Sequence, residues 1–169
     1  MKILVVSDTH GYNDNLKRVL EIEGTIDALF HLGDLEMDAG VIENMAQCPC
    51  ELIAGNNDLF SVYPREKMVN ISSCNIFMTH GHKYYVNTET DFIKKKGISM
   101  GADIVMFGHT HVPVVDTDYN ITLINPGSLT YPRQKNRLPS YIVMNLSPKG
   151  QTEFEIKYLN EKKRKFFFF

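Results

Sequence analysis

Asp8 and His10 stand two residues apart in the stretch SDTHG, directly behind the apolar run MKILVV. Ser, Asp, Thr and Gly are also ordinary turn formers, so this stretch alone is equally a turn or a pair of metal ligands. The arrangement recurs along the chain. ALFHLGD delivers Asp34, ELIAGN delivers Asn56, IFMTH delivers His80, and IVMFGHTH delivers His109 and His111. Each of these is a nitrogen or oxygen donor set just past an apolar run. The His-x-His pair would point both imidazoles to the same side of an extended strand. Glycines adjoin the donors at Gly11, Gly33, Gly55, Gly81 and Gly108, where backbone must turn or approach closely. In open α/β sheets, sites form outside the strand ends where loops converge. Seven donor side chains gathered there would suit two divalent cations rather than one.

The elements that must position these donors follow from the pattern of apolar residues. KILVV reads as a strand covered on both faces. NDNLKRVLEIEG has Leu16, Val19, Leu20 and Glu23 at helical spacing, with Gly24 as a stop. DALFHLGD is a second strand, AGVIENMAQ a short helix with Val41, Ile42, Met45 and Ala46 on one face, and ELIAGNND a third strand. This β-α-β-α-β order favours a parallel sheet with crossover helices. The second half opens with an antiparallel pair, KMVNIS and CNIFMTHGH, then a helix over TETDFIKKKGISMG. DIVMFGH, PVVD, ITLINPG, YIVMNLS and EFEIKYL follow as strands in quick succession, read as a meander. Together these predict two sheets packed face to face with helices outside, in one domain over 1–160, followed by a basic, phenylalanine-rich tail over 161–169. The tail's four terminal phenylalanines would suit a subunit contact or a membrane surface.

Bulk properties narrow the functional classes. A net charge of −2 and a pI near 6.3 argue against a broadly basic nucleic-acid binder. The lysine runs at 94–96 and 162–165 read as solvated faces, which also weakens a nuclease reading. No apolar stretch approaches the ~20 residues of a membrane span, and MKILVVSD is too short for a signal peptide's apolar region. Cys48, Cys50 and Cys74 are too few and odd in number for a disulfide framework, and Cys48 and Cys50 lack metal-binding spacing and read as small buried hydrophobes, in a chain expected to be cytoplasmic.

The ordered pieces Asp8-Thr9-His10, Gly33-Asp34, Gly55-Asn56, His80-Gly81-His82 and Gly108-His109-Thr110-His111 resemble the calcineurin-like metallophosphoesterase family, and most of all its small YfcE-type phosphodiesterases. The resemblance implies a four-layer α/β/β/α sandwich with two mixed β-sheets flanked by helices. It also implies a dinuclear centre. Asp8, His10, Asp34 and His111 would hold one ion, and Asp34, Asn56, His80 and His109 the other, with Asp34 bridging. The activity implied is hydrolysis of a small phosphodiester by in-line attack of a metal-bridging hydroxide. Imidazole and carboxylate donors without thiolate suit Mn²⁺, Fe, Co²⁺, Ni²⁺ or Zn²⁺ better than Ca²⁺, with Mn²⁺ favoured by availability. A homo-oligomer, dimer or tetramer, is expected.

Two departures shape the expected chemistry. Most of the family has Gly-Asn-His after the third strand, whereas this chain has Gly55-Asn56-Asn57. An amide can donate a hydrogen bond to a phosphoryl oxygen but cannot deliver a proton near neutral pH. Asn57 thereby joins Asp8 and Asp34 among the catalytic candidates, and His82 is a substitute acid or a surface histidine. The change narrows the chemistry toward phosphodiesters with acidic leaving groups. The protein Ser/Thr phosphatase branch carries an arginine shortly after its Gly-Asp, and GDLEMDAG has none. Asp58 reads as a turn former or a group orienting a ligand, His31 as a core or subunit-facing histidine, and Gly127 as a turn residue with positive φ. The retromer's small metallophosphoesterase-fold subunit offers a competing reading, a protein-binding scaffold with little or no catalysis.

Overall fold

A strand covered on both faces sorts its side chains by alternation. In β1 (Lys2–Val6), Ile3 and Val5 enter one apolar cluster and Leu4 and Val6 another. That division organises the molecule, a computed structural model describing residues 1–37, 39–118 and 120–160. The tail expected at 161–169 lies outside the described residues.

β1 pairs in parallel with β2 (Ala28–His31), which pairs in parallel with β3 (Cys50–Leu52). Helices α1 (Asp14–Glu23) and α2 (Ala39–Ala46) make the crossovers. Leu16 and Val19 of α1 and Ile42 of α2 close over Leu4, Val6 and Leu29. Gly24 ends α1 as the spacing predicts, its N–H bonding to the Leu20 carbonyl. Val41 is exposed rather than inward, so the packed face of α2 is Ile42, Met45 and Ala46.

The second sheet starts as predicted, with β4 (Glu66–Ile71) antiparallel to β5 (Cys74–Thr79). Helix α3 (Asp91–Ser99) then carries the chain to β6 (Ile104–Met106), which lies parallel to β5. β7 (Pro113–Thr117) and β8 (Thr122–Pro126) form a hairpin whose second strand runs parallel to β6. The expected meander is therefore corrected: a helical crossover and a hairpin that takes the outer edge make this sheet mixed, in the order β4-β5-β6-β8-β7.

β9 (Ser140–Leu146) and β10 (Thr152–Tyr158) leave for the first sheet, giving β10-β9-β1-β2-β3 with β9 antiparallel to β1. Ile76, Met78, Ile104, Met106 and Ile124 meet Ile3, Val5, Phe30 and Met144 between the sheets. Phe77, Val105 and Leu123 face outward under Ile93 of α3. The layers are α/β/β/α. Cys48 and Cys50 are half-buried rather than fully buried, Cys74 is buried, and all three are free thiols.

Candidate metal centre

The carboxyl ends of β1, β2, β5 and β6 and the turn after β3 lie together, so the loops behind them converge. Asp8 N–H bonds to the Gly33 carbonyl and His10 N–H to the Asp34 carbonyl, each at 3.0 Å, which stitches the first two loops. Gly108 N–H reaches the His80 carbonyl at 3.1 Å and joins the loops of the second sheet. Asp8, His10, Asp34, His109 and His111 all have φ between 47° and 67°. Residues with a Cβ adopt this left-handed region at a cost of roughly 1–2 kcal/mol each. Five of the seven donors singled out by the sequence carry that strain, as do Glu36, Gln47, Phe60, Ser72, Tyr85 and Arg137 elsewhere. Close approach explains two glycines. A Cβ on Gly55 would stand 2.1 Å from Asp34 Oδ1, and one on Gly108 would stand 2.0 Å from Ser7 Oγ.

The donor atoms converge. Asp8 Oδ1 lies 3.1 Å from His111 Nε2 and 3.9 Å from both His10 Nε2 and His80 Nε2. Asp34 Oδ2 lies 3.4 Å from His80 Nε2 and 4.0 Å from His10 Nε2. Two groups of mutually close ligand atoms result, Asp8-His10-His111 and Asp8-Asp34-His80. Asp8 is shared between them as the side chains stand, and Asp34 also reaches toward both sides. Asn56 and His109 line the same cleft of about 200 Å³, together with His10, Asp34, Asn57, His111, Tyr131 and Arg133.

Hydrogen bonds fix which ring nitrogens face inward. His80 Nδ1 contacts the Leu32 carbonyl and His111 Nδ1 the Tyr131 carbonyl, both at 2.7 Å. A carbonyl only accepts, so each Nδ1 carries the proton and each neutral ring presents a bare Nε2 lone pair. His10 Nδ1 donates likewise to Glu36 Oε1 at 2.6 Å. The His10 and His111 Nε2 atoms nevertheless face each other at 3.3 Å. Two lone pairs at that separation repel unless a proton or a cation lies with them. Asp8 Oδ1, Asn56 Oδ1 and His80 Nε2 are buried without any hydrogen-bond partner. Leaving a buried polar group unpartnered costs about 1–3 kcal/mol. These orphaned atoms and opposed lone pairs form a donor set that fits divalent cations.

Electrostatics agree with the geometry. Burial raises the Asp8 carboxyl, but the imidazoles of His111 and His80 beside it and the Ser7 hydroxyl outweigh it and hold it below the ordinary range. Asp34 is likewise lowered against its burial, by His80 and by Asn57. His80 is raised despite burial, because Asp34 and Asp8 face it. Burial lowers His109, as does neighbouring His80.

The remaining sequence candidates separate. Asn57 lines the cleft, and its Nδ2 donates to Asp34 Oδ2 at 2.8 Å while its backbone N–H reaches Oδ1 at 2.9 Å. His82 begins a 3₁₀ turn, its ring centroid 5.6 Å from that of His80 and 6.1 Å from that of His109. Burial and the charges of His80 and His109 push its imidazole down to about 4. Asp58 accepts from the N–H groups of Gly55 and Glu36, each at 2.7 Å, and so ties the second and third loops. His31 is a core histidine, fully buried, accepting from Gly33 N–H and paired with Thr9 Oγ1. Gly127 has φ +80° as expected, and buried Asn125 braces the loop of His109 by donating to the Gly108 carbonyl. Glu36, Asn87, Tyr131 and Arg133 escaped the sequence reading; Asn87 Nδ2 stands 3.0 Å from His109 Nε2. The signal for the last pair was TYPR, directly behind the NPGSL turn.

Residues 1–149 match the calcineurin-like phosphoesterase superfamily domain, and the chain belongs to that family. It is 30% identical over 145 residues to the phosphodiesterase MJ0936 of Methanocaldococcus jannaschii, covering 75% of this chain and 83% of that one. A predicted phosphoesterase from Streptococcus pneumoniae superposes with a TM-score of 0.75 at 26% identity, covering 92% of this chain and 97% of the other. Wild-type Vps29 of Entamoeba histolytica, in complex with Zn²⁺, superposes equally well at 0.75 and 20% identity, covering 95% and 100%, a likeness of fold alone. No helix among the described residues is long and apolar enough to cross a membrane.

Proposed function

We propose that the chain is a dinuclear, divalent-metal-dependent phosphodiesterase. The observation that carries this reading is the set of buried donor atoms that the protein itself leaves without partners, Asp8 Oδ1, Asn56 Oδ1 and His80 Nε2. Asp8, His10, Asp34 and His111 would hold one ion and Asp34, Asn56, His80 and His109 the other, Mn²⁺ being the first choice among Mn²⁺, Fe, Co²⁺, Ni²⁺ and Zn²⁺. Two such ions supply positive charge to a phosphoryl group and acidify a water enough to attack it in line.

The residues do the rest. Glu36 and the Leu32 and Tyr131 carbonyls hold three imidazoles in the tautomer that presents Nε2. Asn57 spends one amide N–H on Asp34, and its other N–H is available to a phosphoryl oxygen. His82, pushed down to about 4, is neutral near pH 7 and serves as a hydrogen-bonding group rather than a proton source. The leaving group then takes its proton from solvent, which favours diesters of acidic alcohols or phenols. A scaffold that only binds protein has no need of seven donors set at the strand ends, and this supports the catalytic reading over the binding one.

The direct test is turnover of bis-p-nitrophenyl phosphate, beside p-nitrophenyl phosphate, by Mn²⁺-reconstituted protein. Metal-dependent hydrolysis favouring the diester and abolished by chelation is the expected result. A folded protein that turns over neither substrate with any of these metals overturns the proposal.

A further inference from the structure

We infer that Arg133 is the phosphate-gripping residue of this cleft, its guanidinium binding the non-bridging oxygens of the phosphoester. The inference deepens the phosphoesterase reading and rests on it. Arg133 lines the same cleft of about 200 Å³ as His10, Asp34, Asn56, His109 and His111. Its place there is set by the candidate ligands themselves. Arg133 N–H bonds to the His111 carbonyl at 3.0 Å, and two residues earlier the Tyr131 carbonyl accepts from His111 Nδ1 at 2.7 Å. Thr130 Oγ1 donates to the Thr9 carbonyl at 2.7 Å and Ser128 Oγ to the Asp8 carbonyl at 2.8 Å. The segment bearing Arg133 is thus latched to the loops of Asp8, His10 and His111 at once, with Pro132 stiffening it.

The guanidinium itself is uncommitted. Arg18 bonds to Asn15 and the Asn160 carbonyl, Arg65 to the Gly55 carbonyl and Arg137 to the Pro132 carbonyl. Among the described residues, Arg133 alone of these arginines has no side-chain hydrogen bond or ion pair. A planar fork of donors on a residue that lines the cleft of the candidate metal ligands, and left without a carboxylate, matches a tetrahedral oxyanion bidentately. It also supplies, from the far end of the chain, the guanidinium missing after Gly33-Asp34. The cleft is thereby equipped for the dianionic phosphomonoester that diester hydrolysis leaves as well as for the diester monoanion, and inorganic phosphate, which shares the monoester's dianionic oxygens, should bind and inhibit.

The test is calorimetric titration of inorganic phosphate into Mn²⁺-loaded wild type, Arg133→Gln, Arg133→Lys and Lys135→Gln, with metal content and melting temperature measured for each. Arg133→Gln should weaken phosphate binding by about ten-fold or more, and Arg133→Lys by less, because an ammonium keeps the charge but loses the fork. Lys135→Gln removes a charge two residues away and should stay within about two-fold, with metal content unchanged throughout. No phosphate binding by the wild type overturns the inference, as does a fall of less than two-fold in Arg133→Gln, an equal fall in Lys135→Gln, or loss of metal from Arg133→Gln. Phosphate binding that depends on Arg133 in a protein without diester turnover would sink the function proposed above and leave this assignment standing. Diester turnover with phosphate binding indifferent to Arg133 would do the reverse.

Discussion

Among the described residues carboxylates are buried in two places, and the two differ in how their lone pairs end. Under the end of α1, Glu23 is 3% exposed at its side chain and every oxygen is used. Lys2 Nζ stands 2.9 Å from Oε2, Lys157 Nζ lies 3.0 Å and 3.3 Å from the two oxygens, and Tyr141 Oη donates to Oε1 at 2.7 Å. Among the loops beyond β1 and β2, Asp8 and Asp34 face imidazole lone pairs, and Asp8 Oδ1 has no hydrogen bond at all. All three carboxyls are held below their ordinary values. A lowered pKa therefore does not separate a structural cluster from a functional one. What separates them is that Asp8 carries both costs at once, an orphaned oxygen and left-handed backbone, beside the orphaned His80 Nε2, whereas Glu23 carries neither.

The comparison breaks most sharply at Asp8. Asp8→Asn should lower metal-dependent turnover by about 10²–10⁴-fold, while the chelated protein melts no lower than wild type, because a buried charge with an orphaned oxygen is gone. A chelated variant that melts well below wild type would make Asp8 a structural residue like Glu23. Gly55→Ala should come next. Its methyl would strike Asp34 Oδ1, and displacing that carboxylate should cost about 10–100-fold in metal affinity, read by competition with a metallochromic dye.

Glu23→Gln should give the smallest effect on turnover, and a loss of about 2 kcal/mol in stability, reduced from a fully buried pair because both lysines are partly solvated. Its pH dependence follows from the lowered carboxyl. Burial raises it, but Lys2, Tyr141 and Lys157 outweigh that, so the stabilisation is complete above the ordinary value of 4.5 and is lost as pH falls below it. Denaturant melts of wild type and variant should converge in that acid range. Melts that stay parallel down to strong acid would assign the loss to packing instead.

The donors were legible because each sits one step past an apolar run, and a buried strand announces its own end. Asp34, His80 and the His109/His111 pair needed only that rule. What the chain hid depends on direction and on distance along the sequence. Asn57 reads as a group aimed at substrate, yet in the folded chain its amide turns onto Asp34. Glu36 and Tyr131 act on His10 and His111 from 26 and 20 residues away, which no local spacing encodes. The return of β9 and β10 to the first sheet was hidden for the same reason. Alternating strands of similar length carry no mark of which neighbour they will choose.

That return leaves a last consequence. The family domain ends at residue 149, yet β10 runs over Thr152–Tyr158 and borders the first sheet beyond β9. It covers the whole of β9, from Thr152 opposite Leu146 to Tyr158 opposite Ser140. A chain cut at the domain boundary would bare the unpaired N–H and C=O groups along the seven-residue, mostly apolar β9 to solvent, a ready template for pairing with another molecule. The final strand thus acts as a selvedge: it moves the sheet's border from a buried apolar strand to one that carries exposed Glu153 and Glu155, charges that discourage pairing with a neighbour.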